Sequence, residues 1–186
     1  MTAADEQLLI ARAREGHPDA FRLLVERHMK QAYDLAFGFV HDHDAAEDVA
    51  QEAFVRAYRS LHTFRGDAKF STWMYRIVTN LALNRVKQQK RERSRAADLS
   101  EADALAAADQ AGLSAEPHVR ALLEKALHEL PTLQRSVVIL RHMEGMSTKQ
   151  VSEILRCSEG TVKTHLFRAM EKLRRRLAHL QEEATL

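Results

Sequence analysis

A chain of 186 residues with 45% hydrophobic content holds one ordinary domain or two small ones and excludes a disordered protein. Three prolines, six glycines and long runs of Ala, Leu, Arg, Glu and Gln exclude a β-rich fold. An acidic start (MTAADEQLLIARARE) without any run of about 18 apolar residues excludes a signal peptide and a membrane span, so a cytoplasmic protein is expected. The net charge of +2 hides segregation of sign: residues 1–95 carry 16 basic and 13 acidic side chains, residues 96–118 none and 5, and residues 119–186 12 and 8, a pattern that points to nucleic acid at both ends.

In chain order, Gly16 and Pro18 mark a break and a helix start. Phe21, Leu24, Val25 and His28 repeat at i, i+3, i+4 and i+7, predicting an amphipathic helix that continues through Ala32, Ala36 and Val40. In "HDHDAAEDVAQEAFVRAYRSL", Asp44 three residues before Glu47 resembles a capping box. Val49, Ala53, Ala57 and Leu61 give this helix a buried edge, with Phe54 and Tyr58 beside them. His41, Asp42, His43 and Asp44 are metal-ligand types, but no second set stands at helical metal-site spacing. A solvated loop with a helix cap accounts for them, and no metal or cofactor is expected.

"LHTFRGDAKF" reads as a loop around Gly66, after which Ser71 or Thr72 caps a helix. At about 100° per residue, Trp73, Asn80, Asn84, Lys87 and Arg91 share one stripe of that helix, beside the apolar Met74, Val78 and Leu81. Trp73 stands on the seam, fit either to pack at the helix edge or to join a nucleic-acid surface. The first block is thus about four helices around one core, residues 1–95. The acidic, Ala-rich stretch 96–118 reads as a mobile linker.

In the block 119–186, Leu122, Leu123, Ala126, Leu127 and Leu130 form an apolar face up to Pro131, and a helix from about Thr132 to Met143 ends at Gly145. Ser147 and Ser158 are placed to cap two helices that flank a tight turn at Arg156 to Ser158, with Val151, Ile154 and Leu155 inward on the first and Val162, Leu166, Ala169 and Leu173 inward on the second. That spacing is a helix-turn-helix at about 147–170, with Glu159, Lys163, Thr164, Phe167 and Arg168 facing out toward a major groove. Cys157, the only cysteine, excludes a disulfide framework. Its apolar place in the turn favours a packed side chain over a redox switch.

"DAFRLLVERH", "AEDVAQEAFVRAYRSLHTFRGDAKFSTWMYRIVTNLALN" and "GTVKTHLFRAMEKLR", in this order, resemble the extracytoplasmic-function group of bacterial sigma factors, closest to the envelope-stress type. The resemblance covers nearly the whole chain. It implies an all-α protein with a region 2 helical domain, an acidic linker and a region 4 domain, acting as a transcription initiation factor with no catalysis of its own.

It further implies that Asp48, Gln51, Glu52, Phe54, Val55 and Arg56 dock on the β′ clamp helices of core RNA polymerase, with the β flap a second polymerase contact. Phe64, Arg65, Lys69, Trp73, Arg76, Asn80, Asn84, Lys87 and Arg91 would recognise and melt the minus-ten promoter element, with Phe64 as a pocket wall. Lifting a base from the stack costs a few kcal/mol, which aromatic stacking and phosphate contacts offset. Arg141, Ser158, Lys163, Thr164, His165, Phe167 and Arg168 would recognise the minus-thirty-five element, with Arg141 and His165 nearer the backbone. The linker would occupy the RNA exit path as a polyanion mimic, and an anti-sigma protein is an implied partner. The rival within DNA binding is a one-component regulator, with a sensor in residues 1–118, that binds duplex operator DNA without polymerase.

Overall fold

The computed structural model describes residues 3–97, 122–123 and 125–183, all-α throughout, and the chain divides into two compact units with the boundary between Ala96 and Ala97. The expected linker, beyond Ala97, lies outside the described residues.

The first unit consists of α1 (Ala3–Arg14), α2 (Pro18–Val40), α3 (His43–Ser60), a 3-10 turn (Leu61–Thr63) and α4 (Phe70–Ala97). Pro18 in the first turn of α2 loses no helical hydrogen bond. Leu24, Leu35, Ala36 and Phe39 of α2 are fully buried against an alanine row of α3, Ala46, Ala50, Ala53 and Ala57. The small side chains let the two backbones approach, and Met74, Val78 and Ala82 of α4 close the core.

Two caps differ from expectation. His41 ends α2 in the left-handed region (φ 53°), its N–H bonded to the Phe37 carbonyl, and this turns the chain one residue before Asp42. Asp42, extended, then caps α3 by accepting a hydrogen bond from the Ala45 N–H at 2.7 Å, so the cap is two residues before the expected Asp44. Likewise α4 starts at Phe70, with the Trp73 N–H bonded to the Lys69 carbonyl, which puts Ser71 and Thr72 inside the first turn rather than at the cap. Asp42→Ala should therefore destabilise the first unit by about 1 kcal/mol, and Asp44→Ala by much less. Urea unfolding followed through Trp73, the only tryptophan, measures both.

The second unit contains helical residues 125–128, α5 (Thr132–Val138), which continues into a π turn (Ile139–Met143), then α6 (Thr148–Leu155) and α7 (Glu159–Glu183). Ala126, Leu127 and Leu130 pack with Val138 of α5 and with Ala169 and Leu173 of α7. Across this contact the Arg176 guanidinium meets the Glu129 carboxylate at 2.7 Å. The expected single helix from Thr132 to Met143 is continuous, but its last turn widens, the Glu144 N–H reaching back five residues to the Ile139 carbonyl. Gly145 (φ 64°) ends it, and the Arg141 guanidinium donates to the Met146 carbonyl beyond. Gln134, Arg135 and Ser136 are buried despite their polarity, and burial pushes the Arg135 guanidinium below its ordinary pKa.

Candidate nucleic-acid and partner interfaces

The stripe on α4 is exposed over most of its length. Asn80, Asn84, Lys87 and Arg91 face solvent, as do Arg65, Lys69 and Arg76 around the helix start. From Asn80 to Arg91 the row spans about 16 Å at 1.5 Å per residue, amides first and cations after. Amides offer both donor and acceptor to a base edge, and cations hold phosphates.

At the head of the stripe sits an aromatic cluster. Phe64 meets Phe70 edge-on at 5.8 Å and Trp73 at 5.3 Å, and Trp73 lies 5.7 Å from Phe70. Phe64 is only 4% exposed, so the expected pocket wall is closed in this conformation. Trp73 is half-buried, its ring packed with Phe64 and Phe70.

On α3, Asp48, Gln51, Glu52, Val55 and Arg56 are exposed. Phe54 is not. At 4% exposure, with its ring edge-on to Phe21 at 6.5 Å, it is a core residue, and its expected role as a partner contact is corrected accordingly. The five exposed side chains line a groove of about 580 Å³ whose other wall is Asn84, Arg85 and Gln88 of α4. Asn84 thus faces the α3 groove as well as the stripe. Arg85 and Gln88 were missed from sequence, although the row Leu81, Asn84, Arg85 and Gln88 has the i, i+3, i+4, i+7 spacing that marks one helix face.

In the second unit, Ser147 and Gln150 form a full capping box at the start of α6. Arg156 takes the left-handed conformation (φ 53°) that makes the turn, and Ser158 caps α7, its Oγ accepting from the Thr161 N–H at 3.0 Å. Val151 and Ile154 of α6 and Val162 of α7 are buried. This leaves Lys163, Thr164, Phe167 and Arg168 outside, with Phe167 71% exposed. The Ser158 hydroxyl serves the cap, while Arg141 and His165 are half-buried. Arg141's bond to Met146 makes it a brace for the turn before α6.

Cys157 is half-buried in the turn, and desolvation raises its thiol pKa. Less thiolate is present at neutral pH than for a free cysteine, so iodoacetamide should react several-fold more slowly with the folded chain than with the chain in urea. Raising the pH through the folded-state pKa should narrow that difference; equal rates at neutral pH would contradict it. Of the His41–Asp44 cluster, Asp42 is a cap and the His43 ring stacks on Phe37 at 4.7 Å. Among the described residues no helix is long and apolar enough to cross a membrane.

The family models for Sigma-70 region 2 and Sigma-70 region 4 match residues 24–92 and 120–173. Over 99% of this chain and all of the relative, the sequence is 37% identical to the RNA polymerase sigma-H factor of Pseudomonas aeruginosa, and over 90% of this chain and 92% of the relative it is 35% identical to the ECF RNA polymerase sigma-E factor of Escherichia coli K12. The chain belongs to the extracytoplasmic-function sigma factors. Among solved structures, CnrH in complex with the cytosolic domain of CnrY is similar, with a TM-score of 0.66 at 28% identity, covering 94% of this chain and 98% of that one. Each matched region lies within one of the sigma factor's two units, the exposed α4 stripe falling in region 2 and the helix-turn-helix in region 4. It is a transcription initiation factor that works with RNA polymerase on promoter DNA.

Proposed function

We propose that region 2 docks on the β′ clamp helices through Asp48, Gln51, Glu52, Val55 and Arg56, and opens the minus-ten element along α4. The observation that carries this division is a pair of exposed faces that meet at Asn84: the charged face of α3, and a stripe on α4 where Asn80 lies between the half-buried Trp73 and the cations Lys87 and Arg91. A flipped base needs an aromatic wall and an edge reader, and the displaced strand needs cations in line with them. Arg65, Lys69 and Arg76 hold the strand entering the loop. Opening requires Phe64 to yield part of its packing, or Trp73 to offer its ring in its place.

In region 4, Lys163, Thr164, Phe167 and Arg168 read the minus-thirty-five element in the major groove, with His165 and the Ser158 end of α7 nearer the phosphates, and region 4 also meets the β flap. The acidic stretch 96–118 occupies the RNA exit path until nascent RNA displaces it. The protein acts in the cytoplasm, in a stress response and without catalysis of its own, under the control of an anti-sigma partner. That the similar CnrH is held in complex with the cytosolic domain of another protein, CnrY, supports control through a bound partner.

Run-off transcription with purified core polymerase on a genomic fragment library tests the proposal. Promoter-specific transcripts that depend on the protein are expected. Tight, specific duplex binding without polymerase, and no such transcripts, would favour the one-component regulator.

A further inference from the structure

We infer that Glu6 and His28 form a strut through which α1 positions the minus-ten loop, making His28 a positioning residue for promoter opening. The inference rests on the reading of residues 64–73 as DNA surface.

The loop has little of its own to hold it. Arg65, Gly66, Asp67, Ala68 and Lys69 are all exposed, so its shape is set by the two ends. At the first end, the Leu61–Thr63 turn packs against α1. At the second, Phe70, 1% exposed and the first residue of α4, carries both Phe64 and Trp73.

Phe70 in turn rests on the ring of His28, with centroids 5.2 Å apart. His28 is 6% exposed, and its Nε2–H donates to the Glu6 carboxylate of α1 at 2.8 Å. The other carboxylate oxygen faces the Arg27 guanidinium at 3.7 Å. With only the Gln31 Oε1 left, 3.3 Å from Nδ1, a buried imidazole that lost this acceptor would turn or draw in water, because a buried donor left unsatisfied is costly. Either response moves the support under Phe70. One helix thus braces the loop at both ends, directly through the turn and indirectly through His28. The region 2 match begins at residue 24, so this brace comes from outside the matched segment.

The test uses the full chain, with Trp73 as reporter. Glu6→Ala should make Trp73 more accessible to acrylamide in the free protein. In the holoenzyme it should slow minus-ten opening, read by 2-aminopurine in that element, by about 5- to 10-fold, the effect of losing one ordinary hydrogen bond, while core polymerase affinity stays unchanged. Glu6→Gln, which keeps an acceptor for the imidazole, should restore both readouts, and His28→Leu should reproduce Glu6→Ala. An unmoved Trp73 in Glu6→Ala overturns the strut. If Trp73 moves but opening does not, Asn80→Ala decides which part has failed: slowed opening there means that the strut does not position the surface, and unslowed opening means that the surface itself was misassigned. Equal loss of core affinity would make Glu6 and His28 parts of the general fold and also overturn the inference.

Discussion

Asn80→Ala should slow open-complex formation by about 10- to 100-fold, corresponding to the roughly 1–3 kcal/mol that a bidentate amide contact to a base supplies, and leave affinity for core polymerase unchanged. Asn80 is exposed on α4 with the buried Val78, Thr79 and Leu81 around it in sequence, so its backbone is fixed by the core while its amide is free to meet DNA. Truncating an exposed side chain on such a helix costs the fold little, since Ala is the better helix former. The loss should therefore be confined to steps in which a base is unstacked. Potassium permanganate footprinting of the minus-ten element, alongside a binding titration with core enzyme, separates the two. A parallel loss of core affinity would place Asn80 in the α3 groove with Asn84, and an unchanged footprint would remove it from the DNA surface.

The neighbouring residue Asn84 sharpens that comparison. Because it lines the groove shared with Gln51, Glu52 and Arg56, Asn84→Ala is expected to affect polymerase binding as well as opening. From sequence the two asparagines were alike, since they sit four residues apart on one stripe. What distinguishes them is the line along which α3 crosses α4, a tertiary fact that single-helix geometry does not contain.

The same limit explains the other differences between sequence and structure. The amphipathic pattern of α2 was legible because Phe21, Leu24 and His28 all point one way and all are buried. On α3 the buried face is wider than the expected edge, for it adds Ala46, Ala50 and Phe54. Alanine is a weak hydrophobic signal, so the stripe looks narrow from sequence; periodicity leaves Phe54 beside its edge, and only the resemblance made Phe54 a polymerase contact. Asp44 was the expected cap of α3, but His41 takes the left-handed conformation, which few sequences announce, and the cap falls to Asp42. The widened turn at Ile139–Met143 begins within four consecutive buried apolar residues, Val137 to Leu140, and such a run carries no period in which the extra residue of the turn would show. Phe64 was legible as an aromatic in the right loop, but whether a loop aromatic is open or closed depends on partners such as Phe70, set by packing across the domain. The helix-turn-helix was the most legible part, because its caps, turn and inward row are all local.

In region 4 the double variant Phe167→Ala, Arg168→Ala should abolish discrimination between minus-thirty-five sequences, a loss of about 2–5 kcal/mol if a guanidinium pairing with a guanine edge and an apolar contact with a thymine methyl are both removed. Each single change should account for part of the loss, Arg168 through a hydrogen-bonded base and Phe167 through the methyl. Phe167 and Arg168 lie on the outer face of α7, while Val162, Ala169 and Leu173 hold the helix from behind, so neither truncation disturbs the crossing with α6. Lys163→Ala extends the test to the start of the helix: as a reader it should change the preference among minus-thirty-five sequences, and as a lost cation it should also reduce the salt dependence of binding. Competition among promoter variants at two salt concentrations measures all three. Preserved sequence preference in the double variant would show that α7 positions the duplex without reading it, whereas a preference unchanged by Lys163→Ala would make Lys163 a phosphate contact and confine base reading to Thr164, Phe167 and Arg168.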